Sequence, residues 1–232
     1  VSGRVPGGHN WELTWAAARD FITNMMPTNA VAVLVLGRER EQRREFSQDK
    51  DKLLLEIEES EKETRRRVDS ARGLESLIPE TARSLSPAGW GDAIYVITYR
   101  GVSGVGRDRV SLDEQLAASG VRVFGLWLGD TLRPGPVGWR RRNETPAGLD
   151  RLARLSGGTV VSVDTELKRE QVPMIVRPLY AAMTDVYRIE VEFERPVGRH
   201  DEWKLEVVDQ QGYKLKGVEV AYPTLLVPLS RH

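Results

Sequence analysis

The sequence predicts a doubly wound α/β domain, in which a mostly parallel β-sheet carries helices on both faces, followed by a short antiparallel β-rich extension. Short apolar runs alternate with segments of helical periodicity over residues 1–185, and this order favours right-handed crossovers between parallel strands. After residue 185 the pattern changes to strict alternation of apolar and polar residues, which is typical of half-exposed antiparallel strands. We therefore assign residues 1–185 to the α/β domain and residues 186–232 to an extension packed on it.

The first helix and the first strand follow from two different periodicities. An apolar stripe recurs at steps of four and three residues and ends before Pro27: Trp11, Trp15, Ala18, Ile22 and Met25. This spacing predicts an amphipathic helix. Residues 31–36 form a continuous apolar run rich in β-branched side chains, which predicts a parallel strand covered on both faces.

The middle of the domain alternates in the same way. Residues 38–52 are mostly charged around Phe46, so we expect a poorly buried strand or loop there, followed by a charged helix from Leu53 and a second helix over residues 74–85. Residues 93–98 predict a buried strand, and a helix over residues 111–118 would take Ser111 as its N-cap and Glu114 as the capping-box partner.

The last part of the domain and the extension complete the pattern. A strand is expected over residues 121–128, a helix over 146–155 that Gly157 and Gly158 end, a strand over 159–163 and a helix over 167–183. Alternating strands are expected over residues 187–194, 203–207 and 218–222.

Composition excludes several classes of function. The chain has 34 basic and 34 acidic residues, so no net charge directs it to nucleic acid. It has no cysteine, its three histidines are far apart, and no apolar run approaches the roughly 20 residues of a membrane-spanning helix. We therefore expect no catalytic residues, no cofactor, no nucleic-acid partner and no membrane span in this chain.

Three features together resemble the von Willebrand factor A domain. They are Ser2-Gly3 just before the first helix, Thr98 at the end of a central strand, and the segment of residues 152–159, LARLSGGT, before a late strand. The sequence looks closest to the related domains of acidobacterial proteins, which have a similar tail and a segment similar to residues 46–49, FSQD. The resemblance implies a non-enzymatic protein-binding module within a larger exported protein, extracellular or periplasmic.

The resemblance also implies where a metal-ion-dependent adhesion site would lie. In that family an Asp-x-Ser-x-Ser loop, a threonine and a further aspartate hold magnesium through oxygen ligands. Here Ser2 matches the first serine, Arg4 stands at the second serine, Arg72 falls near the threonine and Tyr99 stands at the later aspartate. The initial aspartate would fall just before Val1, so we expect the first strand upstream of this chain.

The two arginines predict that this site is metal-free. A guanidinium remains protonated at neutral pH, and two unit charges about 4 Å apart repel by roughly 4 kcal/mol at an effective dielectric constant of about 20. Two interpretations remain open. Arg4 and Arg72 could bind an acidic group of a partner directly, or the site has drifted and its arginines are merely solvated.

Other loops at the same expected sheet edge supply further binding candidates. The glycine-rich residues 101–106 lack dinucleotide or Walker spacing, which favours a loop of the binding rim over a phosphate site. Arg140–Arg142 beside Trp139 suit phosphate contact, although three loop arginines are more often solvated. The rim residues we single out are Arg4, Arg72, Tyr99, Arg100, Arg107, Arg140 and Arg141.

Two rival functions remain at this point. One is a structural domain that docks on neighbouring domains of the same polypeptide. The other is a nucleotide-binding or enzymatic α/β domain, since one fold supports many functions, but the sequence contains neither a phosphate loop nor a catalytic triad.

Overall fold

The computed structural model describes residues 9–36, 41–43, 45–65, 74–85, 88–89, 91–98, 109–128, 147–163, 167–186, 203–217 and 220–224. The elements in the first half are α1 (His9–Asn24), β1 (Leu34–Leu36), β2 (Glu41–Arg43), α2 (Lys50–Arg65), α3 (Leu74–Ser84) and β3 (Ala93–Thr98). Those in the second half are α4 (Arg109–Ser119), β4 (Arg122–Trp127), α5 (Ala147–Ser156), β5 (Val160–Ser162), a 3₁₀ turn (Arg169–Gln171) and α6 (Val172–Thr184).

The central sheet is parallel, in the order β3-β4-β5. Ala93 of β3 lies opposite Arg122 of β4, and Gly125 of β4 lies opposite Val160 of β5. Each pair of neighbouring strands is joined by a crossover that contains a helix, α4 or α5. This is the doubly wound α/β fold that the alternation of periodicities predicts.

Side chains of β4 alternate between two separate cores, because successive residues of a strand point to opposite faces of the sheet. Phe124 and Leu126 lie in a core with α1, α2 and α6. Val123 lies on the other face in a core with α3, α4 and α5. Helices therefore cover both faces of this strand, which explains its continuous apolar sequence.

The first strand is a correction to the sequence prediction. Residues 31–36 were expected to form a parallel strand, but β1 pairs antiparallel with β2, with Leu34 opposite Arg43. Val31 adds an antiparallel bridge to Ser47. Periodicity reports which faces are covered and carries no information on the direction of the neighbouring strand. Phe46, beside this bridge, is 53% exposed, as expected of a poorly buried segment.

The start of α4 is a second correction. The helix begins at Arg109, two residues before the expected N-cap, so Ser111 lies inside the helix and not at its start. The pattern of Ser111 and Glu114 also occurs by chance within helices, and local sequence does not distinguish the two cases.

The extension is less regular than its alternating sequence predicts. Residues 203–207 form no ladder, and the pairing around them is one antiparallel bridge between Val208 and Lys214. Of the other expected strands, residues 187–194 and 218–219 lie outside the described residues, and 220–222 form no strand. The extension contacts the α/β domain where the Thr224 amide donates to the Arg154 carbonyl at the end of α5.

Candidate functional site

The carboxyl ends of the three parallel strands form one edge of the sheet. The Leu128 amide donates to the Thr98 carbonyl at 2.8 Å, and the Val163 amide donates to the Trp127 carbonyl at 2.9 Å. Trp127, the last residue of β4, is only 2% exposed. We call this side of the domain the carboxyl edge. It is the side where open α/β sheets bind ligands.

Helix α6 begins at the carboxyl edge and ends at the opposite edge. The Arg122 guanidinium, at the first residue of β4, donates to the Met183 carbonyl in the last turn of α6 at 2.7 Å. Burial lowers the pKa of Arg122, and its guanidinium lies 5.3 Å from the centre of the Phe124 ring. A cation beside the last carbonyls of a helix is also favoured by the helix dipole.

Helix α1 runs parallel to α6 and therefore also begins at the carboxyl edge. At its start, Nε2 of His9 lies 2.7 Å from the carbonyl oxygen of Leu167, just before the 3₁₀ turn that leads into α6. At its end, the Tyr180 hydroxyl accepts a hydrogen bond of 2.7 Å from the Met26 amide. The two helices are thus held together at both ends.

Helix α2 runs antiparallel to α1, so its last turn lies beside the first turns of α1. Lys50 at the start of α2 donates to the Thr23 carbonyl at 2.9 Å, and Arg19 pairs with Glu61. A cleft of about 230 Å³ between the helices is lined by Trp11, Arg19, Glu58, Glu61 and Lys62.

The electrostatics of this cleft favour helix packing over ligand binding. Burial, and to a smaller extent the charge of Arg169, lowers the pKa of Arg19, while Glu58 opposes that shift. Lys62 and Glu58 lie 3.9 Å apart along α2. The acidic and basic side chains that line the cleft are therefore equal in number, and they interact with one another.

All of the site residues singled out from the sequence lie outside the described residues: Ser2, Arg4, Arg72, Tyr99, Arg100, Arg107, Arg140 and Arg141. Among the described residues that border their segments are His9, Arg65, Thr98 and Leu128. Each of these four border residues lies at the carboxyl edge, by the helix and strand directions given above. These four described residues thus lie at one edge of the sheet.

One absence and one described group bear on the chemistry of the site. Among the described residues there is no cluster of three or more His, Cys, Asp or Glu that could hold a metal ion. The indole Nε1 of Trp127 is buried at the carboxyl edge and has no hydrogen-bond partner within the described part of the chain. The sequence does not decide whether Trp127 belongs to the core or to the binding rim. The one signal in the sequence is its position at the end of an expected strand.

Comparisons with known proteins agree with this architecture. No protein-family model and no curated protein sequence matches the chain. It is similar in structure to an aerotolerance-related membrane protein from Bacteroides fragilis (TM-score 0.54, 18% identity, covering 74% of this chain and 87% of that one). It is also similar to the conserved hypothetical protein BatB from Bacteroides thetaiotaomicron (TM-score 0.53, 18% identity, covering 75% and 88%).

A third similar structure is a von Willebrand factor type A protein from Catenulispora acidiphila, with a TM-score of 0.54 at 11% identity, covering 75% of this chain. The match spans 38% of the length of that protein. Within the described residues, no helix combines the length and the apolar character needed to cross a bilayer. Element order, a parallel sheet with helices on both faces and these structural likenesses lead to one conclusion: the chain has the fold of a von Willebrand factor A-like domain.

Proposed function

We propose that the chain is a non-enzymatic protein-binding module that recognises its partner through the carboxyl edge. The observation that carries this proposal is the convergence of His9, Arg65, Thr98 and Leu128 on one edge, because these residues border the four segments with the candidate binding residues. Loops on a rigid sheet can present several side chains to one partner without reorganising the core.

We propose further that the domain binds its partner without a divalent ion. Arg4 and Arg72 would place guanidinium groups where related domains have oxygen ligands, and Tyr99 would replace a carboxylate. Guanidinium forks bind carboxylates through paired, charge-assisted hydrogen bonds, so the matching surface of a partner would be acidic. We also propose that the domain belongs to an exported protein and is extracellular or periplasmic. The membrane protein among the structural neighbours supports this location.

Calorimetric titration with magnesium and manganese tests the metal-free character of the site. We expect no saturable heat of binding up to millimolar concentrations, because the arginine charges repel a divalent cation. The chelator-treated protein and a titration of the ions into buffer serve as references. Saturable binding in the micromolar range would refute the proposal.

Pull-down with the recombinant domain tests the binding edge. We expect the triple variant Arg4→Ala/Arg72→Ala/Tyr99→Ala to recover the specific partner at least tenfold less well than the wild type. The reason is that each lost hydrogen bond to a charged group is worth about 1.5–3 kcal/mol. Quantitative mass spectrometry of the captured proteins provides the measurement.

A matched control removes the same side-chain types from other surfaces. Arg83 on α3 and Arg177 on α6 are exposed, and Tyr213 in the extension is 69% exposed. The variant Arg83→Ala/Arg177→Ala/Tyr213→Ala should capture the partner as the wild type does. If the edge variant also captures it undiminished, recognition does not use the carboxyl edge and a structural docking role is favoured.

A further inference from the structure

A turn of two glycines ends α5 at the edge of the sheet opposite the carboxyl edge. The Gly158 amide donates to the Ala153 carbonyl at 2.8 Å. The Gly157 amide donates to the Arg154 carbonyl at 3.3 Å, and Gly157 has a φ of +80°. This is a Schellman motif, in which a residue in the left-handed conformation closes a helix. On one side of the turn, Gly158 lies directly against the backbone of Val123 in β4, so the sheet holds the turn in place.

The extension lies against the other side of the same turn. A Cβ atom at Gly157 would lie 2.6 Å from Cδ of Pro223 and 2.9 Å from the carbonyl carbon of Tyr222. Only a residue without a side chain allows the two segments to approach so closely. The amide and the hydroxyl of Thr224 both donate to the Arg154 carbonyl, each at 3.4 Å. The extension is therefore docked on the last turn of α5.

The residues that make this contact are held together by bonds within the extension. The Trp203 indole donates to the Pro223 carbonyl at 2.7 Å. Its ring meets the Tyr222 ring edge-on, with centroids 5.2 Å apart. Neither contact involves the α/β domain, so Trp203 and residues 222–224 can leave α5 together.

The described contacts between the extension and α5 are weak. None of the described residues of the extension, 203–217 and 220–224, is buried, so these residues remove little apolar surface from water. The bonds of Thr224 are longer than the usual range of about 2.7–3.2 Å. When Thr224 leaves, the Arg154 carbonyl keeps its bond to the Gly157 amide, so undocking does not leave this carbonyl without a partner. A segment attached in this way opens at a small cost in free energy.

We propose that Trp203 and residues 222–224 form a latch, which docks on Gly157 and releases as a unit while the α/β domain stays folded. In the closed state the latch holds the extension at the edge opposite the carboxyl edge. In the open state the extension changes its orientation, while the turn after α5 keeps its own hydrogen bonds. Because the latch and the carboxyl edge lie at opposite ends of the strands, opening leaves the carboxyl edge unchanged.

Distances between spin labels test the latch. The chain has no cysteine, so Arg83→Cys on α3 and Tyr213→Cys in the extension, both exposed, place one label on each part. Into this labelled chain we introduce Gly157→Ala, whose Cβ would overlap Pro223. The matched control is Gly91→Ala, which has the same left-handed backbone and no atom within 4 Å of the added Cβ. Double electron–electron resonance measures the distance distribution in each protein.

The added Cβ at position 157 should shift the latch to its open state, because the overlap with Pro223 exists only in the closed state. The labelled chain and Gly91→Ala should give one narrow distance distribution. Gly157→Ala should raise the population at other distances at least about tenfold. Its α/β domain should unfold in urea at no lower concentration than that of Gly91→Ala, as followed by circular dichroism.

A second variant opens the latch from the side of the extension. Trp203→Ala removes the indole that holds the Pro223 carbonyl and contacts the Tyr222 ring. Trp203 belongs to neither core of the α/β domain, so the urea midpoint of the domain should equal that of the unsubstituted chain. The distance distribution should broaden as it does in Gly157→Ala. This variant decides the question if Gly157→Ala does not fold.

Three results would overturn the inference. The first is an unchanged, narrow distance distribution in either variant while its α/β domain is folded, since other contacts would then hold the extension. The second is a distribution that broadens only at urea concentrations that unfold the α/β domain. The third is a urea midpoint for Gly157→Ala well below that of Gly91→Ala. In the second and third cases the extension is an integral part of the domain and does not release separately.

Discussion

Replacing Phe124 with alanine is expected to lower the free energy of unfolding by about 4 kcal/mol, the largest effect of any single substitution we consider. Phe124 is 1% exposed at the centre of the sheet, and its ring packs in the core shared with α1, α2 and α6. The substitution removes the buried ring and leaves a cavity that the rigid neighbours cannot fill. The guanidinium of Arg122 beside the ring also loses its contact. Urea unfolding followed by circular dichroism measures the change.

Two control variants separate burial from residue type. Phe124→Leu retains most of the volume and should cost less than about 1.5 kcal/mol. Phe46→Ala removes the same side chain from a position that is 53% exposed, and it should change stability by no more than about 0.5 kcal/mol. Equal losses for Phe124→Ala and Phe46→Ala would mean that β4 does not form the centre of this core.

Gly158→Ala is expected to destabilise the fold by about 3 kcal/mol, an effect that arises from a single added methyl group. A Cβ atom at Gly158 would overlap the carbonyl oxygen and carbon of Val123 in β4. The obstacle is backbone, so it cannot rotate away, and either β4 or the turn after α5 must shift. The Val123 amide is also held by the hydroxyl of Ser156 at 2.9 Å, which restricts that shift further. Thermal unfolding and urea unfolding both report the loss.

Gly91→Ala is the matched control for this substitution. Gly91 has a φ of +88°, and an added Cβ would meet no atom within 4 Å. The free energy of unfolding should therefore fall only by the cost of an alanine in the left-handed backbone conformation, about 1 kcal/mol. If Gly158→Ala were no more destabilising than Gly91→Ala, the close approach between the α5 turn and β4 would be absent in solution.

The sequence predicted the regular elements well where one face or both faces of an element are buried. The stripe from Trp11 to Met25 matches α1, and the apolar runs of residues 93–98 and 121–128 match β3 and β4. These patterns can be read from local sequence, because the apolar residues of a helix or strand lie on the faces that it buries. The predictions failed where burial is slight, as in residues 203–207 of the extension, because alternation there reflects an exposed hairpin and not a ladder.

The candidate site was predicted only as a set of positions along the chain. Arg4, Arg72 and Tyr99 come from resemblance to a family, and their placement stays a prediction. The structure shows where the carboxyl edge lies, because the carbonyl groups of Thr98 and Trp127 accept hydrogen bonds that align the carboxyl ends of the three strands. The sequence did not show whether the Trp127 side chain is buried, since tryptophan occurs both in cores and at binding surfaces.

By itself, the sequence determined the fold class, the order of helices and strands within the α/β domain, and the sides on which most of them are buried. Only the tertiary structure decided that β1 pairs antiparallel with β2, that α1, α2 and α6 share one face of the sheet, and that the described parallel strands lie in the order β3-β4-β5. The physical reason is that periodicity reports how one segment meets its surroundings, whereas pairing, direction and edges depend on hydrogen bonds between residues far apart in the chain.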